Sequence, residues 1–183
     1  RPREGGGDLS ARACAAWSAG ALWLSVDVED EQHTNDQNDD TLWQGDSVQF
    51  AIDGDADGGE GYDGDDREVT VALSGGVTRL FAQQGRLDGM TGAVIRSGQR
   101  TRYELRMALA GLSEGAVFRV SFLVNDADDE GSDGWLEWTT GIGRTKRPGD
   151  FGTVAVAARA AASDPNMGLP PAADAGRSSP PPE

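Results

Sequence analysis

The segment WQGDSVQFAIDGDADGG, residues 43–59, sets a tryptophan ahead of a stretch that alternates in polarity and then runs into aspartates and glycines. In an extended chain successive side chains point to opposite faces, so Val48, Phe50 and Ile52 fall together on one side. The spacing predicts a half-buried strand that ends in an acidic turn. The same period of two returns upstream in Leu22, Leu24, Val26 and Val28, with Trp23, Ser25, Asp27 and Glu29 on the opposite face. Downstream it returns in Val69, Val71 and Leu73, in Tyr103, Leu105 and Met107, and in Phe118, Val120, Phe122 and Val124. GWLEWTT and FGTVAVA complete the set. No segment carries a sustained helical stripe; the nearest, RMALAGL, is short and ends at Gly111. Many short alternating strands between Gly- and Asp-rich turns predict an all-β chain folded as a two-sheet antiparallel β-sandwich, immunoglobulin-like or jelly-roll-like.

The chain has 183 residues, enough for one domain with a sizeable core. Residues 1–8 read as a linker or frayed edge, residues 9–157 as the domain, and residues 158–183 as a Pro/Ala-rich linker with too few large apolar side chains to order itself. No internal repeat is visible. The formal net charge is −15, and residues 27–66 hold fifteen acidic side chains and no Lys or Arg. Such a field repels nucleic acid and anionic membrane surfaces and attracts cations, so neither nucleic acid nor membrane is an expected partner. A salt-adapted proteome would produce acidity of the same kind. The single cysteine, Cys14, excludes an internal disulfide framework and a Cys-based zinc site. The chain starts at Arg1 and reads as a segment of a longer protein.

Two acidic stretches are candidate cation loops. Residues 53–66 open with Asp53, Asp55 and Asp57, where alternate side chains can converge on one hard cation; Gly64 stands where an EF-hand needs a bidentate Glu, and the flanks are strands. Residues 126–137 place Asp126 and Asp128 at similar spacing, again between strands. A solvated acidic turn is the competing reading of each, because Asp and Gly are turn residues in their own right. Two such stretches favour structural calcium, with Asp53, Asp55, Asp57, Asp126 and Asp128 as ligands.

Exposed aromatics are the other signal, because sugar rings present flat C–H faces that stack on indoles. Trp17 is expected in the core, and Trp138 buried beside Leu136. Trp43 lacks an apolar partner at period two and is expected exposed at a loop–strand junction. The one histidine, His33, lies in the polar stretch DEQHTND, reads as a solvated loop residue and has no nearby nucleophile, so a catalytic role is not expected.

Taken together, ALWLSVDVEDEQHTNDQ, LWQGDSVQFAID, RYELRMALAGL, FRVSFLVNDADDEGSDGWLEW and KRPGDFGTVAV follow one another in the order and spacing of carbohydrate-binding module family 9. The chain resembles that family over residues 9–157. The resemblance implies a β-sandwich that binds polysaccharide or oligosaccharide without catalysis, holds calcium, and is linked to further domains of a secreted, extracellular or cell-surface protein such as a glycoside hydrolase. It further implies that Trp43 is one of two walls gripping a sugar ring, that Thr145 stands where the second tryptophan would be, and that Gln49 replaces an acid which meets sugar hydroxyls. Thr70 stands in place of an Arg. Two alternatives remain: a structural or adhesive calcium-binding sandwich without a sugar site, and a haem-binding redox relative, for which His33, Met90 and Met107 are the available axial ligands.

Overall fold

The computed structural model describes residues 9–128 and 131–157. Ten strands run in the order β1 (Leu9–Ser18), β2 (Ala21–Asp30), β3 (Ser47–Asp53), β4 (Arg67–Ser74), β5 (Val77–Gln84), β6 (Met90–Ser97), β7 (Arg100–Ala108), β8 (Val117–Asp128), β9 (Gly131–Glu137) and β10 (Gly152–Ala155). All pairings are antiparallel. One sheet has the order β1-β2-β7-β6; the other has the order β10-β8-β3-β4-β5, with β9 also pairing β8. The two-sheet antiparallel sandwich expected from the alternation is therefore present. The β4–β5 hairpin turns through Gly75 and Gly76, whose φ values of 58° and 76° are those of a tight primed turn that side chains with a Cβ resist.

The core lies between the sheets and uses the alternating residues. Val26, Val48, Phe50, Ile52, Tyr103 and Leu105 are among its buried members, and each fully buried large apolar side chain contributes about 1.5–3 kcal/mol relative to exposure. In β2 the inward set Leu22, Leu24, Val26 and Val28 is buried, while Trp23 and Glu29 are exposed.

Four sequence expectations change. Strand β3 is buried on both faces rather than half-buried. Its outer side is covered because Ala51 and Leu123 form a second apolar cluster with Ile142 and Phe151, brought over the sheet by the segment after β9. Trp17 is only partly buried, at the periphery of the core, with its indole N–H donated to the Ala157 carbonyl at 3.1 Å. Trp138, one residue past β9, is 52% exposed; its ring stacks on Phe122 at 5.8 Å and 12°. It extends the line of an edge strand, where the facing sheet ends in β1; there Ala11, Ala13 and Ala15, in register with Val28, Val26 and Leu24, are themselves exposed. Finally, the described residues of the 126–137 stretch belong to strands. Asp126 and Asp128 end β8 in a hairpin with β9, and Asp126 is 2% exposed.

Candidate functional site

Before β3 the chain makes a 3₁₀ turn over Asp39–Gln44. Leu42 anchors it, 1% exposed, while the adjacent Trp43 is 43% exposed. Asn35 holds the turn from below: its amide donates to the carbonyls of Leu42 and Asp46, each at 3.0 Å. Thr41 closes it from above, with both its N–H and its hydroxyl directed to the Asn38 carbonyl. The indole is thus presented by backbone that is already ordered, which lowers the entropic cost of binding.

This turn packs against β3, β4, β5 and β8, at the rim of the outer face of the larger sheet. Gln83 ties it there, its Nε2 donating to the Asp40 carbonyl at 3.4 Å and to the Thr70 hydroxyl at 3.3 Å. Register puts Gln49 beside Thr70 and Leu123, and Asn125 beside Ser47 and Trp135. The amides form a short chain: Gln49 Nε2 donates to Asn125 Oδ1 at 3.3 Å, and Asn125 Nδ2 donates to Ser47 Oγ at 2.9 Å. Gln49 and Asn125 are 5% and 7% exposed, and Thr70 is fully buried. Thr145 is exposed in the segment after β9. Its neighbour Lys146 reaches down to Glu68 on the same sheet face at 2.6 Å, and Glu68, itself fully buried, also accepts the Tyr62 hydroxyl. Glu137 fixes the same segment by accepting the Ile142 and Gly143 N–H groups at 2.7 and 3.1 Å.

The three residues expected at a sugar site therefore share one side of the sandwich. Trp43 and Thr145 are accessible, whereas Gln49 is buried. Sequence reasoning missed Gln83, Asn125 and Lys146. Strand phase could have placed Asn125, two residues beyond Leu123 on the outer face. The other two follow from contacts that cross the fold.

Trp43 differs from the other exposed tryptophans. The Arg106 guanidinium covers the Trp23 ring at 5.5 Å from its centroid, and Trp138 stacks on Phe122. Among the described residues, no ring or cation covers Trp43. A depression of about 1000 Å³ lies on the smaller sheet. Two of its acidic side chains are already paired, through Arg100–Glu29 at 2.5 Å and Arg102–Asp27 at 2.7 and 2.9 Å. It offers no exposed indole, and we therefore place the candidate site at Trp43.

Among the described residues, two groups of side chains bring three metal-ligating atoms within 4.8 Å of one another: Asp53 with Asp55 and Asp57, and Asp30 with His33 and Asp46. In the first, Asp53 is buried and braces the loop by accepting the Ala56 and Gly58 N–H groups at 2.7 and 2.9 Å. Asp65 supports it by accepting the Gly54 and Asp55 N–H groups at 2.9 Å each. The Asp55 carboxylate beside Asp57 pushes the Asp57 carboxyl up from its ordinary range. An all-oxygen, mutually repelling donor set of this kind fits a hard cation. Asp126 sits instead near Asp46, at the opposite end of β3 from Asp53, about 20 Å away at strand rise. Asp126 and Asp128 therefore cannot complete the Asp53 group.

His33 is not solvated. Its side chain is 12% exposed, its Nε2 lies 3.0 Å from the Leu73 carbonyl, and burial pushes its pKa down. Its Nε2 is engaged by that carbonyl, and the ring is enclosed by the polar stretch rather than presented to solvent.

Residues 3–158 match the family model for carbohydrate family 9 binding domain-like proteins. Among solved structures, a carbohydrate binding module family 9 from Caldicellulosiruptor kristjanssonii in complex with cellotriose is similar at a TM-score of 0.76 and 21% identity, over 92% of this chain and 85% of that one. A carbohydrate binding module family 9 from the same organism in complex with glucose gives 0.75 and 22%, over 88% and 84%. These likenesses establish the shared fold. No curated protein matches the chain. With the family model covering nearly all of the described residues, the chain belongs to the carbohydrate family 9 binding domain-like family.

Proposed function

We propose that this domain is a non-catalytic carbohydrate-binding module that holds an oligosaccharide or polysaccharide on the Trp43 side of the larger sheet. The observation that carries the reading is Trp43: an exposed indole, free of ring partners among the described residues, on a turn held by Asn35. Membership in the family and the cellotriose and glucose bound by its structural neighbours support the same ligand class. The indole stacks on the C–H face of a sugar ring, and Gln83 and Thr145 at the rim meet hydroxyls. Because Thr145 cannot supply an opposing aromatic wall, the sugar is held on one face. Affinity is accordingly weak, with dissociation constants of about 0.1 mM to millimolar, or about −4 to −5.5 kcal/mol.

The module tethers a larger secreted protein to glycan in polysaccharide breakdown. Asp53, Asp55 and Asp57 hold a structural calcium ion, for which their donor set is suited. Calcium supplies positive charge that neutralises the clustered carboxylates and locks the loop against β3.

Affinity electrophoresis of parent protein and Trp43→Ala through gels containing soluble glucans, xylans and mannans tests the reading. The parent should be retarded by at least one glycan and the variant should migrate freely with an unchanged melt. A parent that ignores every glycan at millimolar sugar, with its fold still stabilised by calcium, would establish the structural or adhesive reading instead. The full burial of Thr70 is the observation that favours that second reading.

A further inference from the structure

The second ligand cluster, outside the sugar face, is built from the end of β2, the following loop and the residue preceding β3. Its donors are unlike those of the acidic loop: one imidazole nitrogen and two carboxylates, Asp30 and Asp46 being 5% and 3% exposed. A carbonyl oxygen can only accept, so the 3.0 Å contact of His33 Nε2 with the Leu73 carbonyl fixes the proton on Nε2. The other ring nitrogen, Nδ1, then turns a lone pair toward Asp46 Oδ2 at 3.6 Å. That separation is too long for a hydrogen bond. It is close to the edge of a coordination tetrahedron: two ligands each 2.0–2.1 Å from one ion stand about 3.4 Å apart. A lone pair and a carboxylate oxygen repel unless positive charge stands between them.

The surroundings have the second shell of a metal centre. The imidazole donates its far N–H to a backbone carbonyl, which orients the ring and raises its basicity. Asp46 accepts the Thr34 N–H at 2.5 Å on Oδ2 and the Ala127 N–H at 2.9 Å on Oδ1, and Asp30 accepts the Gln32 N–H at 3.1 Å. The charge balance points the same way. Asp30 and Asp46 are both buried carboxylates. Among the described residues, the cation facing this group is Arg96, 3.9 Å from Asp30 and engaged with Thr101 and the Asp30 carbonyl. One guanidinium does not offset the two buried carboxylates of Asp30 and Asp46, and buried charge of one sign is costly.

We propose that Asp30, His33 and Asp46 form a structural site for a divalent transition-metal ion of the zinc class, separate from the sugar face and from the calcium loop. An imidazole nitrogen among carboxylates selects such ions over calcium, which takes oxygen ligands. The ion joins the end of β2 to the start of β3 and so braces the loop that carries the Trp43 turn.

The test adds zinc to metal-free protein at neutral pH. Equilibrium dialysis should find one equivalent per chain that His33→Gln weakens at least tenfold and Asp55→Asn leaves in place. At a hundredfold excess over its dissociation constant, zinc should raise Tm by about 5–10 °C. Nitrogen-15 NMR of the parent needs no variant, because His33 is the one histidine in the chain: zinc should shift Nδ1 and leave Nε2 protonated. A proton found on Nδ1 in the presence of zinc, undiminished binding by His33→Gln, or no binding at millimolar zinc would each overturn the site.

Discussion

Gly45 lies against Asn35 so closely that a Cβ built on it would come within 2.6 Å of the Asn35 Cγ and 2.8 Å of the Thr34 carbonyl. The same Asn35 amide holds the Leu42 and Asp46 carbonyls on either side of Trp43. The glycine is therefore required by proximity, since its φ of −113° is open to any residue. Gly45→Ala should push Asn35 off these carbonyls. We expect a loss of about 1–3 kcal/mol in a denaturant melt, and weaker glycan retention although the indole is still present.

Thr145→Trp tests the geometry of the sugar site from the other side. If the segment after β9 faces Trp43 across the bound ring, a second indole should tighten binding by about 1–3 kcal/mol, by analogy with bases stacked on aromatic side chains. Isothermal titration calorimetry reads this directly. An unchanged dissociation constant would place Thr145 away from the ligand.

Calcium should stabilise the domain through Asp53, Asp55 and Asp57. An ion bound only by the folded state contributes about 2.7 kcal/mol at a hundredfold excess over its dissociation constant. Asp55→Asn should abolish the difference between thermal melts in millimolar calcium and in EDTA. Identical parent melts in the two conditions would remove calcium from this loop.

The Glu68 carboxylate is fully buried, whereas Lys146 is half exposed at 50%. Lys146→Met leaves the carboxylate with the Tyr62 hydroxyl alone, and we expect a cost of about 1–2 kcal/mol, discounted for the solvent already screening the lysine. Pairing it with Glu68→Gln should recover part of that loss. A double-mutant cycle in urea separates the pair energy from the packing of each side chain.

Arg102 grips Asp27 through two hydrogen bonds and holds its carboxyl below the usual carboxylate range. A depressed folded-state pKa means that the pair stabilises the domain above the unfolded value, about pH 4, and loses that contribution as pH falls through the folded value. Carboxyl NMR titration should show the Asp27 midpoint rising toward about 3.9 in Arg102→Ala. The pair is solvent-exposed, so the neutral-pH denaturant midpoint should change little.

The sequence by itself determined the all-β class, most of the strands and much of the inward set of core residues, because strand alternation is a local record of which side chains face an apolar interior; β5 and β6 were not read from it. It also marked Trp43 as exposed, since the indole has no apolar partner at period two; the structure sets it on a 3₁₀ turn ahead of β3. Tertiary structure alone decided what covered the other face. Alternation in β3 identifies Val48, Phe50 and Ile52 as inward, but Ala51 on the opposite face is buried too, because Ile142 and Phe151 fold over it. His33 and Trp138 reversed their expected burial for the same reason, one enclosed beneath Leu73 and Asp46, the other left at a sheet edge. The Asp30, His33 and Asp46 cluster was equally illegible. Its three side chains are scattered through acidic sequence and meet only when the end of β2 and the start of β3 are fixed in different sheets.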